Sequence, residues 1–281
     1  MKSVKTWVKE IADKLLGVYD AQEAENVARF LLEDMFDVNR MDFFTEKKIS
    51  VDQARLSDYV GRLQKSEPVQ YITGVTEFYG RKFEVSPSVL IPRPETEELV
   101  KMIIDANDLV KPMILDVGTG SGCIAISLAL ELNTKVMGTD ISPKAIEIAG
   151  KNTVALGAET KFIVHNILRE SLPCNNLDIL ISNPPYIPEK DKSSMHKNVL
   201  GFEPETALFV PDNDPLIFYR KIAEKGLESL KAGGRLYFEI HEAFGNKVNQ
   251  LIQEYGYSNV QIHKDMQGKD RMIIAINSAN R

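Results

Sequence analysis

The feature that most constrains this chain is an apolar stretch from Pro112 that runs into Leu115-Asp116-Val117-Gly118-Thr119-Gly120-Ser121-Gly122 and then into a helical run, Cys123 to Leu132. Strand, glycine turn and helix in that order form the working edge of an α/β sheet. Glycines allow positive φ and let the backbone press against a ligand at the carboxyl end of a strand. Gly118, Gly120 and Gly122 alternate, whereas a dinucleotide pyrophosphate is cradled by G-x-G-x-x-G. The spacing favours a cofactor without pyrophosphate, with Asp116, Gly118, Thr119, Gly120, Ser121 and Gly122 as candidate binding residues. The next strand, Thr134 to Thr139, ends in Asp140, 22 residues after Gly118. That distance suits a carboxylate gripping ribose hydroxyls, and it brings Ile141 to the same place. The competing reading makes Asp140 a helix cap, but Ser142 is the better cap because Pro143 then takes the first helical position.

A further apolar strand, Leu177 to Ile181, ends in Ser182-Asn183-Pro184-Pro185-Tyr186. An Asn amide both donates and accepts, two prolines stiffen the backbone without amide protons of their own, and a Tyr supplies a flat wall. A planar NH2 held between the Asn183 side-chain oxygen and the Pro184 carbonyl would keep one face open to an electrophile, which is what a methyl acceptor needs. An ordinary turn after a strand fits Asn-Pro-Pro alone.

These two motifs, together with Phe78 to Val100 (which includes Ile-Pro-Arg-Pro-Glu-Thr), Gly201 to Leu208 and Gly268 to Arg271, resemble the HemK/PrmC-type protein glutamine N5-methyltransferases, which act on peptide chain release factors. The resemblance spans nearly the whole chain. It implies an α/β, class I S-adenosylmethionine-dependent methyltransferase fold: a doubly wound, mostly parallel seven-stranded sheet with an antiparallel closing strand. It also implies S-adenosyl-L-methionine as methyl donor, S-adenosyl-L-homocysteine as product, and the Gln of a Gly-Gly-Gln loop as acceptor. By the same resemblance Asn183, Pro184, Pro185 and Tyr186 are the catalytic residues, with Asn183 also contacting the cofactor, while Asn166 and Ile167 face the adenine and Arg93 to Thr96 lies near cofactor and substrate. Two departures stand out: Asn166-Ile167 replaces an Asp followed by an apolar or aromatic residue, and Glu239-Ile240-His241 replaces Glu-Ile-Gly. Pro211 to Pro215 also replaces a more glycine-rich turn.

Upstream, Val4, Trp7, Val8, Ile11 and Leu15 recur at helical spacing. Asp20 with Glu23 opens a second helix carrying Val27, Phe30, Leu31 and Phe36, and Ser50 with Gln53 opens a third through Leu63. The expected organisation is a helical substrate-recognition domain over 1–68, a β-hairpin linker over 69–92 built around Gly74 and Gly80, and a methyltransferase domain over 93–281. Glu95, Glu97 and Glu98 follow Pro94, where carboxylates suit a helix N-terminus. Helix and strand then alternate to Ile240, a helix follows from Ala243, and two strands close the chain. Pro188 to Asp214 lacks periodicity and reads as a mobile active-site loop.

Charge decides among the remaining classes. The chain carries a net −6, and its first 67 residues hold 11 basic against 13 acidic side chains, so no basic nucleic-acid stripe is present. That weighs against an adenine-N6 nucleic-acid methyltransferase, the nearest rival, for which the tetrad is also suited. A non-catalytic nucleotide-binding module or a dehydrogenase is disfavoured by the tetrad and by the glycine spacing. Two cysteines without His partners, no apolar run of about 18 residues and no leader-like start point to a cytoplasmic enzyme without metal, membrane or direct nucleic-acid partners.

Overall fold

Val4, Trp7, Val8, Ile11 and Leu15 form the buried stripe of a helix, Val4–Leu15, in the computed structural model, which describes residues 1–278. Ser3 caps it by accepting from the Thr6 amide. Helices Ala21–Met35 and Gln53–Leu63 join it around one apolar cluster. The second is capped by Asp20, as the pattern predicts. Phe30, by contrast, is 47% exposed, and the buried face is Ala24, Val27, Ala28, Leu31 and Leu32, while Phe36 lies just past the helix end. The third helix is capped by Asp52 and not by Ser50, because the Asp52 carboxylate accepts from the Ala54 and Arg55 amides. These helices belong to a unit comprising Met1–Val75 and Met195–Phe202.

The expected hairpin begins later than position 69, since Val69–Thr73 is a short helix ending at Gly74, whose φ of 76° closes it. The strands are Val75–Phe78 and Arg81–Glu84. They turn through Tyr79 and Gly80, both with positive φ, as a two-residue I′ turn requires.

The second unit comprises Thr76–Ser194 and the chain from Glu203 onward. Its sheet strands are β1 Ile114–Val117, β2 Val136–Asp140, β3 Thr160–Val164, β4 Leu177–Ser182, β5 Leu230–Glu239, β6 Tyr257–Lys264 and β7 Asp270–Asn277. Their order is β6-β7-β5-β4-β1-β2-β3, and β7 alone runs against its neighbours. This is the seven-stranded doubly wound sheet with one antiparallel strand. Alternate residues feed two cores: Leu180, Leu236 and Phe238 on one face, Ile179, Ile181 and Tyr237 on the other. The chain leaves β1 outward to β2 and β3 and returns on the opposite side at β4, which opens a crevice at the carboxyl ends of β1 and β4.

Between β4 and the helix Ile217–Ser229, the segment expected as an aperiodic loop holds short structure. Glu189–Ser194 is a short 3₁₀ helix, Lys197–Phe202 and Glu205–Leu208 are helices of one or two turns, and Ile187–Pro188 pairs in parallel with Phe209–Val210. Elements this short bear no readable period. Among the described residues no helix is long and apolar enough to cross a membrane.

Candidate active site

Sheet register places the motifs side by side. Thr139, Val117, Ser182 and Phe238 form one row across β2, β1, β4 and β5. The next residue on each strand is therefore Asp140, Gly118, Asn183 and Glu239, one row at the carboxyl edge. Ser182 Oγ donates to the Val117 carbonyl at 2.6 Å, tying β4 to β1 where the chains diverge. A Cβ on Gly118 would stand 4.0 Å from the Asn183 carbonyl oxygen. The glycine turn and the tetrad are thus adjacent at the level of the backbone.

On the β1 side the turn is held by main-chain bonds. The Gly118 and Thr119 amides donate to the Thr139 carbonyl at 2.8 and 2.9 Å. Gly118, Gly120 and Gly122 all have positive φ. Gly122 is also a packing requirement, since a Cβ there would meet carbons of Ile126 and Phe162 at 3.0 Å. The Asp140 carboxylate accepts from the Gly120 amide and the Ser142 amide, both at 2.9 Å, so it braces the turn from the neighbouring strand. Ser142 caps the following helix by accepting from the Ala145 amide. Each carboxylate oxygen has a second lone pair, so Asp140 retains capacity for a ligand. Burial raises its pKa, and backbone bonds from Ser142, Gly120 and Ile141 pull it back.

Asp116 is fully buried at the end of β1, where Thr119 Oγ1 donates to its Oδ2 at 2.7 Å. Burial pushes the Asp116 carboxyl up to about 7; the Thr119 bond opposes the rise, and the Asp140 charge adds to it. Asp116 Oδ1 and Ser121 Oγ are buried without a hydrogen-bond partner. Orphaned polar atoms beside an open glycine turn are what a polar ligand with donors would satisfy, so the residues present fit a nucleoside bearing an amino-acid arm. Ile141 is 56% exposed beside Asp140. Asn166 sits in a turn after β3, its Oδ1 accepting from the Leu168 amide at 3.0 Å and its own amide donating to Glu170. Ile167 is buried in the same apolar cluster as Leu172 and Tyr219.

On the β4 side the bonds run through side chains. Asn183 Nδ2 donates to Thr96 Oγ1 at 3.2 Å, and Thr96 Oγ1 donates to Glu239 Oε2 at 2.6 Å. Tyr186 donates its phenol proton to Glu239 Oε1 at 3.3 Å, and the ring meets His241 edge-on. Glu239 is 1% exposed and Thr96 3%. Burial raises the Glu239 pKa, while Thr96, the Arg271 charge and Tyr186 hold it down. Burial likewise raises the Tyr186 phenol, with the Glu239 charge adding to it, so the phenol stays protonated. Pro184 is buried between Asn183 and a half-exposed Pro185. Thr96 is placed by the helix Pro94–Ala106, which Pro94 starts.

A family model described as the PrmC N-terminal domain matches residues 6–74, and one described as the Methyltransferase small domain matches residues 96–201. The "Release factor glutamine methyltransferase" of Bacteroides thetaiotaomicron is 45% identical over 270 residues, covering 94% of this chain and 97% of that protein. That of Flavobacterium psychrophilum is 41% identical over 278 residues, covering 96% and 98%. The chain belongs to the release factor glutamine methyltransferase family. Among solved structures, a methyltransferase from Pyrococcus furiosus superposes with a TM-score of 0.54 at 18% identity, covering 81% of this chain and 98% of that one. It shares the fold.

Within this family member, three residues at the site escaped the sequence reading. Thr96 and Glu239 stood in recognised segments without a role. Glu203 stood in the segment read as an aperiodic loop; its buried carboxylate accepts from Arg93 at 2.6 Å and from the Ile91 amide at 3.4 Å. Of the acids after Pro94, Glu95 and Glu97 lie in the first turn of the helix as expected; Glu97 also accepts from the Tyr79 amide at the hairpin turn, and Glu98 from the Met266 amide.

Proposed function

We propose that this protein transfers a methyl group from S-adenosyl-L-methionine to the side-chain amide nitrogen (N5) of the Gln in the Gly-Gly-Gln loop of peptide chain release factors, in the cytoplasm. The observation that carries this is the register row itself: the glycine turn and Asn183 are backbone neighbours, so a cofactor at one meets an acceptor at the other. Family membership supports the release factor as substrate.

The glycine turn with Asp116, Thr119, Ser121 and Asp140 would hold the cofactor's amino-acid arm and ribose. Ile141, Asn166 and Ile167 are the residues nearest in sequence to carry the adenine. Bound there, the cofactor supplies an already activated methyl on a positive sulfonium and leaves as the neutral thioether S-adenosyl-L-homocysteine. What the chain must supply is position. An amide nitrogen is a poor nucleophile because its lone pair is delocalised. Asn183 Oδ1 and the Pro184 carbonyl would each accept one of its N–H groups, orient the amide, and stabilise positive charge as the new N–C bond forms. The nitrogen then loses one proton to water, which restores a neutral amide. Tyr186, neutral and packed beside the prolines, would wall off bulk water.

The helical unit would contact the body of the release factor; its balanced charge suits a folded protein better than nucleic acid. Mass spectrometry of a release factor incubated with the protein and S-adenosyl-L-methionine tests the reading, with the methyl expected on the Gly-Gly-Gln glutamine. Methylation of added DNA or RNA, with the release factor untouched, would overturn it.

A further inference from the structure

A hydroxyl has one proton to give, and at Thr96 it is committed. Thr96 Oγ1 stands 2.6 Å from Glu239 Oε2 and 3.2 Å from Asn183 Nδ2. A bond to a carboxylate is shorter and stronger than one between neutral groups, so the Thr96 proton goes to Glu239. What Thr96 can offer Asn183 is then only a lone pair. The two ends of an Asn amide are nearly isosteric, and the hydrogen-bond network decides which way it points. A lone pair admits only the NH2 end, so Asn183 turns its NH2 to Thr96 and its Oδ1 away.

The buried carboxylate is itself held. Tyr186 donates to its other oxygen at 3.3 Å, and the Arg271 guanidinium lends opposite charge to Glu239. Arg271 is fixed in turn by a bond to the buried Asp265 carboxylate at 3.1 Å. Three strands and the start of one helix therefore converge on the direction of a single amide: Glu239 ends β5, Arg271 lies in β7, Asn183 follows β4 and Thr96 opens Pro94–Ala106.

We propose that Glu239 and Thr96 are positioning residues that lock the Asn183 amide in one flip, with Oδ1 toward the acceptor, and so make the site selective for a group that donates N–H. This rests on Asn183 holding the acceptor as argued above. A Gln side chain presents two N–H donors to Oδ1 and the Pro184 carbonyl. A Glu carboxylate would present only acceptors to the same two acceptors and is rejected, since a site built to take hydrogen bonds discriminates strongly against an analogue that cannot make them. If the flip were free, Asn183 could turn its NH2 to a carboxylate and that discrimination would weaken.

The test uses the full chain carrying Thr96→Val, which keeps the shape and removes the hydroxyl, and Thr96→Ser, which restores it, with Asn183→Ala as control. Turnover is measured on an intact release factor, cofactor affinity by calorimetry, and hydrogen exchange of the Asn183 side-chain NH2 by NMR, its signals identified by their loss in Asn183→Ala. The expected result for Thr96→Val is a kcat lower by about tenfold or more, a cofactor Kd within about twofold, and faster exchange of the Asn183 NH2. Thr96→Ser should recover kcat and exchange protection together. A release factor with Glu at the target position should also compete better against Thr96→Val than against the unaltered chain. Wild-type kcat and unchanged exchange in Thr96→Val, with Asn183→Ala inactive, would overturn the lock and leave the acceptor site standing. Equal losses in Val and Ser variants would overturn it as well. Full activity in Asn183→Ala would remove the acceptor reading on which the lock rests.

Discussion

At the glycine turn the donors and acceptors are largely main-chain groups, the Gly118 and Thr119 amides on the Thr139 carbonyl, with the side-chain carboxylates of Asp140 and Asp116 accepting from the Gly120 amide and Thr119 Oγ1. One strand away, at Asn183, they are side chains, passing from Asn183 to Thr96 to Glu239. Main-chain bonds follow from strand register and survive most side-chain changes, so this half is sensitive chiefly where glycine geometry or the Asp140 and Asp116 carboxylates are at stake. A side-chain chain fails at any link. The same sheet edge therefore has one half whose precision is carried by the fold and another whose precision is carried by four or five residues far apart in sequence.

The sharpest way to break this comparison is Asn183→Ala. It removes the terminal link of the side-chain half, so turnover should fall by ~10²-fold or more while the dissociation constant for S-adenosyl-L-methionine stays within a few fold. Near-normal turnover in a methyl-transfer assay would show that the β4 half does not position the acceptor.

Asp140→Ala probes the carboxylate that braces the Gly120 and Ser142 amides. Asp140 braces two amides, and a ribose bonded to it would add charged hydrogen bonds, so cofactor binding should weaken by roughly 1.5 to 3 kcal/mol, with a lower melting temperature as well. Calorimetry separates the roles: a lower melting temperature with unchanged affinity would leave Asp140 as a brace alone.

How much of this contrast could be read from the sequence follows the same division. The glycine turn, its flanking strand and helix, and the Ser142 cap were legible because each is local, set by residues within a few positions of one another. The tetrad was legible as a motif. Its support was not: Thr96 lies 87 residues from Asn183 and 143 from Glu239, and no period or spacing in the chain announces a pairing fixed by the order of strands in a sheet. The Asp52 cap was missed for a smaller reason, since Ser50 and Asp52 are both good caps and only the local backbone angles choose between them. The turns between Glu189 and Leu208 are one or two turns long, too short for an amphipathic face.

A short Gly-Gly-Gln peptide sharpens the comparison from the substrate side. It offers the acceptor amide to the Asn183 half but lacks the body of a release factor. Remote contacts contribute binding energy to orientation at the reacting centre, so kcat/KM on the peptide should be lower than on the intact factor by at least about tenfold. Comparable values in steady-state assays would mean that the sheet edge alone recognises the substrate and that the helical unit has no docking role.

The smallest expected effect concerns Asp116, which lies beneath the main-chain half. Its carboxyl is pushed up to about 7 by burial, against an ordinary value of about 3.9 in an unfolded chain. A folded pKa above the unfolded one means that the folded state holds the proton more tightly. The stabilising contribution is complete below the unfolded value and is lost as pH rises through the folded one. Between pH 4 and 7 the unliganded protein should therefore lose about 1 kcal/mol of stability per pH unit from this group. Asp116→Asn keeps the size and the acceptor for Thr119 but has no proton to lose. Its melting temperature should exceed that of the unaltered chain at pH 8, and the difference should shrink toward pH 5. Parallel melting curves for the two proteins over that range would show that Asp116 is ionised throughout, and the orphaned Oδ1 would then carry buried negative charge.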